Sequence, residues 1–286
     1  MKIQTLSIVV PTKKCINNCK MCVSKMHDND YVYSHKSPFY IEDLKRRINY
    51  AVINNVDTII LTGTGEALQN KTFLSLVDKV LKELGNPIPR IELQTSGVLL
   101  NDKNLEFLRL MGVTTISLSI MDLFNDERNL DIMGAPPHVE FKLDNLCKSI
   151  LSFGFNIRLS LNMSKIYDNV LIPKYFQRTK ELGASQITFR KLYSSDETTK
   201  EGQWVKENSF NELSFKTLNQ YIKDNGKSLY RLPFGAIVYS LDGISSIVDD
   251  DCMSTETEVS ETLKYLILRE DGKLYCKWDN NGSLIF

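Results

Sequence analysis

Between residues 6 and 192 the chain alternates short, strand-like apolar runs with longer segments of helical periodicity. This alternation limits the possible folds more than any other feature. The short runs are 6–10 (LSIVV), 58–62 (TIILT), 90–95 (RIELQT), 115–120 (TISLSI), 156–162 (NIRLSLN) and 187–192 (ITFRKL). Predicted helices lie between them at 41–54, 71–84, 101–111, 139–153 and 171–182. In the first of these, Leu44, Ile48 and Val52 recur at helical spacing. Asn101 is placed to cap the third, and Gly85, Gly112 and Gly183 each follow a helix end. Buried strands separated by helices run parallel, with both faces of the sheet covered. Right-handed crossovers then give an open doubly wound sheet or a partial or complete barrel.

The pattern changes after Leu192. The polar stretch YSSDETTKEGQ reads as a linker or flexible loop, and 210–223 as one more helix. Short strands at 236–241 and 244–248 flank Asp242-Gly243, and others at 265–268 and 273–278 flank Asp271-Gly272. Asp-Gly between alternating runs is a strong hairpin signal. Two regions are therefore expected: 1–195 carrying the repeats, and 196–286 forming a helix with a small antiparallel β extension. The hairpins are expected to cap the open end of the sheet or to shape a pocket there.

The charges balance, with 35 Lys and Arg against 35 Asp and Glu. That argues against nucleic acid as a partner, because phosphate binding needs a basic surface. The first apolar run is too short for a signal segment and lysines follow it at once. No run approaches the ~18 apolar residues of a membrane helix. The expectation is a cytoplasmic protein with no membrane partner.

Three of the six cysteines, Cys15, Cys19 and Cys22, fall within eight residues; the others are Cys147, Cys252 and Cys276. In a reducing compartment this is not a disulfide framework. Thiolates at this density hold zinc or an iron–sulfur cluster. A structural zinc wants four closed ligands, which His27 or His35 would complete here. A cubane cluster on three cysteines instead leaves one iron open to an added ligand. The motif follows the first strand, at the carboxyl end of the sheet, where active sites of barrels and open α/β sheets lie. Cys147 falls in an amphipathic helix and reads as a core thiol. The segment HDNDYVYSHK is a solvated loop or a lid, His138 marks a helix entry, and Trp204, Phe210 and Phe215 read as core packing.

The stretch CINNCKMC, with Met21 in its apolar slot, resembles the signature of the radical S-adenosylmethionine (radical SAM) superfamily. The resemblance implies a partial (β/α)6 barrel of the TIM type. It implies one 4Fe–4S cluster on Cys15, Cys19 and Cys22, with the amino and carboxylate groups of S-adenosylmethionine on the fourth iron and Met21 near the adenine. An electron into the cluster would then cleave the sulfonium and release a 5′-deoxyadenosyl radical that abstracts a substrate hydrogen.

Further matches sit at the later strand ends. The TGTGE stretch is similar to the family's GGE motif, which implies that Gly63, Thr64, Gly65 and Glu66 meet the methionine amino group. It departs from the pattern at Thr64 and at Ala67, where glycine and proline are usual. Thr95, in QTSG, resembles the family's turn after strand three. Ser117 and Ser119 share a strand face, and Ser119, nearer the carboxyl end, is the implied cofactor contact. Asn162 is the implied ribose contact, and Arg190 the implied partner of the methionine carboxylate.

The stretch LREDGKLYC is similar to a hairpin of SPASM and twitch domains, which carry auxiliary clusters. Too few further cysteines are present for one, so a single cluster is expected, with Cys147, Cys252 and Cys276 outside it. The implied partners are a flavodoxin- or ferredoxin-type reductant and a peptide or small-molecule substrate. A different class of function is a non-catalytic zinc or iron–sulfur module for binding or electron transfer, which leaves TGTGE without a role.

Overall fold

The structure is a computed structural model that describes residues 2–26, 40–232, 235–249, 262–278 and 280–286. Six strands follow one another through the repeats: β1 (Lys2–Val10), β2 (Thr58–Gly63), β3 (Arg90–Thr95), β4 (Thr115–Ile120), β5 (Asn156–Met163) and β6 (Gln186–Lys191). Their crossovers contain α1 (Tyr40–Ile53), α2 (Lys71–Glu83), α3 (Asp102–Leu110), α4 (Asp126–Met133), α5 (Leu143–Ser152) and α6 (Ile172–Glu181). The chain then forms α7 (Lys200–Asn208), α8 (Glu212–Asn225), β7 (Lys227–Arg231), β8 (Ile237–Leu241), β9 (Ile244–Asp249), β10 (Thr262–Leu268) and β11 (Leu274–Tyr275).

The expected elements of the repeats all form, within a few residues at their ends. Asn101 caps α3 as expected, its side chain accepting from the Asn104 amide at 3.0 Å. Gly112 takes a positive φ of 80° just past that helix, where a side chain would be strained. Two helices were not visible as such. α4 is short, and its polar sequence DERNLDIM carries little periodic signal. α7 occupies the end of the expected linker: Thr199 caps it, accepting from the Gly202 amide at 3.0 Å. Capping of this kind starts a helix in a stretch whose composition looks like a loop.

All eleven strands join one sheet, in the order β11-β10-β1-β2-β3-β4-β5-β6-β9-β8-β7. The eight from β10 to β9 run parallel, with β11, β8 and β7 added antiparallel at the edges. Ile8, Leu61, Leu93, Leu118, Leu159 and Phe189 point to the helix layer, where they meet Leu44, Phe73, Leu108, Cys147 and Phe176 in one core. By the two-residue alternation of strands, Gln94, Ser117, Ser119, Ser160, Asn162, Thr188 and Arg190 point the other way. The polar face of the sheet is therefore its concave, barrel-interior face.

Both expected hairpins form. In the first, Asp242 and Gly243 carry φ of 51° and 80°, the paired positive values that a two-residue hairpin requires. Neither hairpin sits over the open end as a cap. Instead one strand of each extends the parallel sheet: β9 lies beside β6 with Thr188 opposite Ile247, and β10 lies beside β1 with Leu6 opposite Leu266. Among the described residues no ladder joins β9 to β10, so strand pairing does not close the barrel. An ion pair between Lys264 on β10 and Asp249 on β9, at 3.4 Å, links the two ends of the parallel run.

Ending the chain at Ser195 would remove β9 and β10 and strip pairing from both β1 and β6. Leu266, Ile267, Leu268 and Leu274, all buried, would be lost at roughly 1.5–3 kcal/mol each, and two open edges would invite aggregation. Such a truncation is expected to be insoluble; a soluble, cooperatively melting 1–195 fragment in a thermal denaturation scan would contradict this account.

Candidate active site

The chain leaves β1 at Val10 and turns over the carboxyl end of the sheet through Cys15, Cys19 and Cys22 before a short helical turn at Val23–Lys25. Backbone and side-chain bonds from several other segments hold this loop. The Asn18 amide donates to the carbonyls of Met133 and Gly134 at 3.0 Å, and the Lys20 amide donates to that of Ile132 at 3.0 Å. The Ile16 amide donates to Gln69 Oε1 at 2.8 Å, Gln69 Nε2 to the Lys14 carbonyl at 3.0 Å, and Asn70 Nδ2 to the Pro11 carbonyl at 2.7 Å. Lys25 reaches Glu201 of α7 at 3.4 Å. The segment expected to be a linker thus braces the cysteine loop.

The glycines of TGTGE press directly on this loop. A Cβ on Gly65 would stand 2.5 Å from Thr12 Oγ1 and 3.1 and 3.2 Å from the Cα and Cβ of Cys15. One on Gly63 would meet carbonyl oxygens at 2.9 and 3.0 Å. Only glycine lets the end of β2 approach the cysteine loop this closely. Ser24 seals the same seam, donating to the Thr64 carbonyl at 2.8 Å and lying 3.1 Å from the Cys22 sulfur.

Glu66 is buried, and its carboxylate accepts three hydrogen bonds from the turn after β3. Thr95 Oγ1 donates to it at 2.6 Å, the Ser96 amide at 3.0 Å and Ser96 Oγ at 2.7 Å. Burial raises its pKa above the ordinary carboxylate value, while the bonds from Thr95 and Ser96 pull it back. Ser96 Oγ in turn accepts from Asn17 Nδ2 at 2.9 Å. One connected network therefore runs from the end of β2 through the end of β3 to the residue between Cys15 and Cys19. Thr95 points to the helix side with Leu93, and its hydroxyl is committed to Glu66 and the Gly97 amide. It braces the site from behind.

Cys15, Cys19 and Cys22 are all free thiols, each half-buried. Burial pushes the Cys19 thiol up to about 12 and raises that of Cys15, and the neighbouring sulfurs add to both shifts. Thiols this close resist ionising together unless cationic iron or zinc compensates them. Among the described residues, no three Cys, His, Asp or Glu side chains converge on a point for a single ion.

The residues around the thiols fit a bulky sulfur-ligated group: three soft donors, a glycine cradle at Gly65, and two buried oxygens, Asn17 Oδ1 and Thr12 Oγ1, without hydrogen-bond partners. His27, His35 and Cys252 lie outside the described residues. Cys147 is a buried core thiol on α5, and Cys276 follows β11.

On the barrel-interior face, Ser119, Asn162 and Arg190 occupy the carboxyl ends of three neighbouring strands. Ser119 pairs in register with Ser160, and Asn162 with Arg190. All three are half-buried. Asn162 Nδ2 reaches back to the Ile120 carbonyl at 3.4 Å. Arg158, lower on the same face, is committed elsewhere: it pairs with buried Glu92 at 2.7 Å and donates to Gln186 at 2.8 Å. Met21 is half-buried and packs on the main core.

Sequence reasoning missed Asn17, Ser24 and Ser96, as well as Gly134. A Cβ on Gly134, which has φ 56°, would collide with the Asn18 carbonyl. Each of the four meets a partner distant in sequence.

Comparison with known proteins agrees with this arrangement. The profile of the radical SAM superfamily matches residues 9–166 of the 286. The chain belongs to the radical SAM superfamily. An uncharacterized protein of Methanocaldococcus jannaschii is 25% identical over 166 residues, which cover 55% of this chain and 51% of that one. Among solved structures, Streptococcus suis SuiB bound to S-adenosylmethionine superposes with a TM-score of 0.61 at 16% identity, covering 96% of this chain and 60% of SuiB. The structure of anSMEcpe with bound AdoMet gives a TM-score of 0.65 at 13% identity, covering 99% and 77%. At these identities the likeness concerns the fold. The chain spans about half the length of its curated relative and about 60% of SuiB.

Gly65→Ala is expected to push Cys15 out of place and to lower iron per chain in anaerobically reconstituted protein to less than about half of the wild-type value, since a Cβ contact of this kind forces backbone shifts. Full iron loading would contradict the cradle. Cys147 gives a pH prediction. Burial raises its thiol from 9.0 to about 12, so the stability tied to this group is complete below pH 9.0 and is lost as pH rises toward 12. Native protein at pH 8 should therefore leave Cys147 unalkylated by iodoacetamide, with labelling seen by peptide mass spectrometry only after unfolding.

Proposed function

We propose that this radical SAM enzyme binds one 4Fe–4S cluster through Cys15, Cys19 and Cys22, binds S-adenosylmethionine along the carboxyl ends of β1–β6, and acts on a peptide. The observation that carries the reading is the seam between Gly65 and Cys15, which brings the cysteine loop and the TGTGE turn into direct contact. A zinc or electron-transfer module has no need for that contact.

When bound, the cluster and S-adenosylmethionine supply a one-electron cleavage of the sulfonium, giving a 5′-deoxyadenosyl radical that takes a substrate hydrogen. The chain's own residues hold and orient the parts. The three sulfurs anchor the cluster. The backbone of Gly63–Gly65 offers carbonyl acceptors to the N–H groups of the methionine amino group, and the Arg190 guanidinium suits its carboxylate. Ser119 and Asn162 offer hydrogen bonds to the sugar and methionine portions, and Met21 offers apolar cover for the adenine.

A peptide substrate is supported by relatives of the same fold: SuiB was solved with the precursor peptide SuiA, and anSMEcpe with the Cp18Cys peptide. The electron is expected from a flavodoxin- or ferredoxin-type reductant. No helix among the described residues is long and apolar enough to cross a membrane.

Oxygen-free purification followed by iron and sulfide counting, reduction, and chromatography for 5′-deoxyadenosine tests the proposal. About four irons per chain with release of 5′-deoxyadenosine is the expected result; one zinc and no turnover would refute it. Cys19→Ala should lose both cluster and turnover, and a count of about eight irons would refute the single cluster.

A further inference from the structure

The Ser24 hydroxyl stands between the cysteine loop and the TGTGE turn and meets both. Its Oγ lies 2.8 Å from the Thr64 carbonyl oxygen and 3.1 Å from Cys22 Sγ. Backbone holds each side of this contact in place. Ser24 sits within the helical turn Val23–Lys25, where the Lys25 amide donates to the Cys22 carbonyl at 3.1 Å and the Met26 amide to that of Val23 at 2.9 Å. Met26, which ends the turn, is buried. Thr64 lies between Gly63 and Gly65, at both of which a methyl group would collide with neighbouring atoms. Among the described residues no other side chain hydrogen-bonds one of the three sulfurs. Cys15 is met by the backbone amides of Asn17 and Glu66 instead.

A hydroxyl has a single hydrogen, and a carbonyl can only accept. With Cys22 a free thiol, Ser24 therefore gives its hydrogen to Thr64, and the thiol gives its own to Ser24 Oγ. Binding to iron takes the hydrogen from Cys22. Its sulfur then carries negative charge and faces the hydroxyl oxygen lone pair to lone pair, unless the Ser24 hydrogen turns to it. Rotation about the Cβ–Oγ bond achieves this without moving a heavy atom. The charged sulfur is the stronger of the two acceptors, because a hydrogen bond to an ionised partner is roughly twice as strong as one between neutral groups.

We infer that Ser24 is a positioning residue for the cluster, whose hydroxyl turns from the Thr64 carbonyl to the iron-bound Cys22 sulfur and raises the potential at which the cluster accepts its electron. Ser24 acts through Cys22 on the cluster of the proposed function, on which this assignment rests. The added electron places more negative charge on the sulfurs, so a donor there binds the reduced cluster more strongly than the oxidised one. Reduction becomes easier by that difference.

The test is a redox titration of anaerobically reconstituted protein without S-adenosylmethionine, followed by electron paramagnetic resonance, with iron counted in each sample. Ser24→Ala is expected to hold its iron and to titrate at a more negative potential. At a fixed applied potential its ratio of reduced to oxidised cluster should fall roughly three- to tenfold, the share of a charged hydrogen bond that differs between the two states. Electron–nuclear double resonance of the reduced wild type in H2O and D2O should reveal an exchangeable proton that Ser24→Ala lacks. Ser24→Thr and Ser24→Val match each other in shape and differ by the hydroxyl. Thr should keep the wild-type potential and proton, and Val should behave as Ala does, which also decides the matter if Ser24→Ala assembles too little cluster. Equal potentials in wild type and Val with the same proton signals, or equal shifts in Thr and Val, would overturn the assignment and leave the proposed function standing. Wild-type protein that takes up one zinc and no cluster would overturn the proposed function and this assignment with it.

Discussion

The Glu66 carboxylate is the tie on which the architecture of the site depends. It is buried at the junction of two strand ends, with no cation beside it among the described residues, and its oxygens are satisfied by Thr95 and Ser96. A buried carboxylate held this way tolerates little movement, because losing any one donor leaves charge unsolvated in a poorly polarisable interior. The bond from Asn17 to Ser96 carries the restraint into the cysteine loop. The carboxyl ends of β2 and β3 and the loop after β1 are therefore positioned as a unit.

Around that tie the fold separates two tasks. The helix side of the sheet supplies the apolar burial that pays for ordering the chain. The concave side keeps Ser119, Asn162 and Arg190 in neighbouring register positions, partly open to a ligand. A polar face of this kind is stable only because the opposite face is packed so completely. The lower part of the concave face closes itself with the Arg158–Glu92 pair at 2.7 Å, while Ser119, Asn162 and Arg190 in the upper part stay partly exposed.

The C-terminal segment is integral to this arrangement. β9 and β10 widen the six-strand run at its two edges, and the Lys264–Asp249 pair reaches between them. The same extension carries Glu270 to Thr64, beside the cysteine loop. A segment that reads as an appendage is thereby joined to both the sheet and the site.

The spacing of apolar runs determined the α/β repeat and most element positions, because period-2 and period-3.6 patterns record which faces are buried. The cysteine spacing and the glycines of TGTGE marked the site, because soft ligands and close backbone approach each demand particular residues. Two short helices escaped: α4 and α7 are polar and begin at side-chain caps, so periodicity says little about them. The bond between Glu66 and Thr95 was also illegible, since a carboxylate's partner depends on which turn faces it. Only the tertiary structure decided that β10 pairs with β1 and β9 with β6, because hydrogen bonds between strands distant in sequence leave no local signature. That pairing is what sets Glu270 against Thr64.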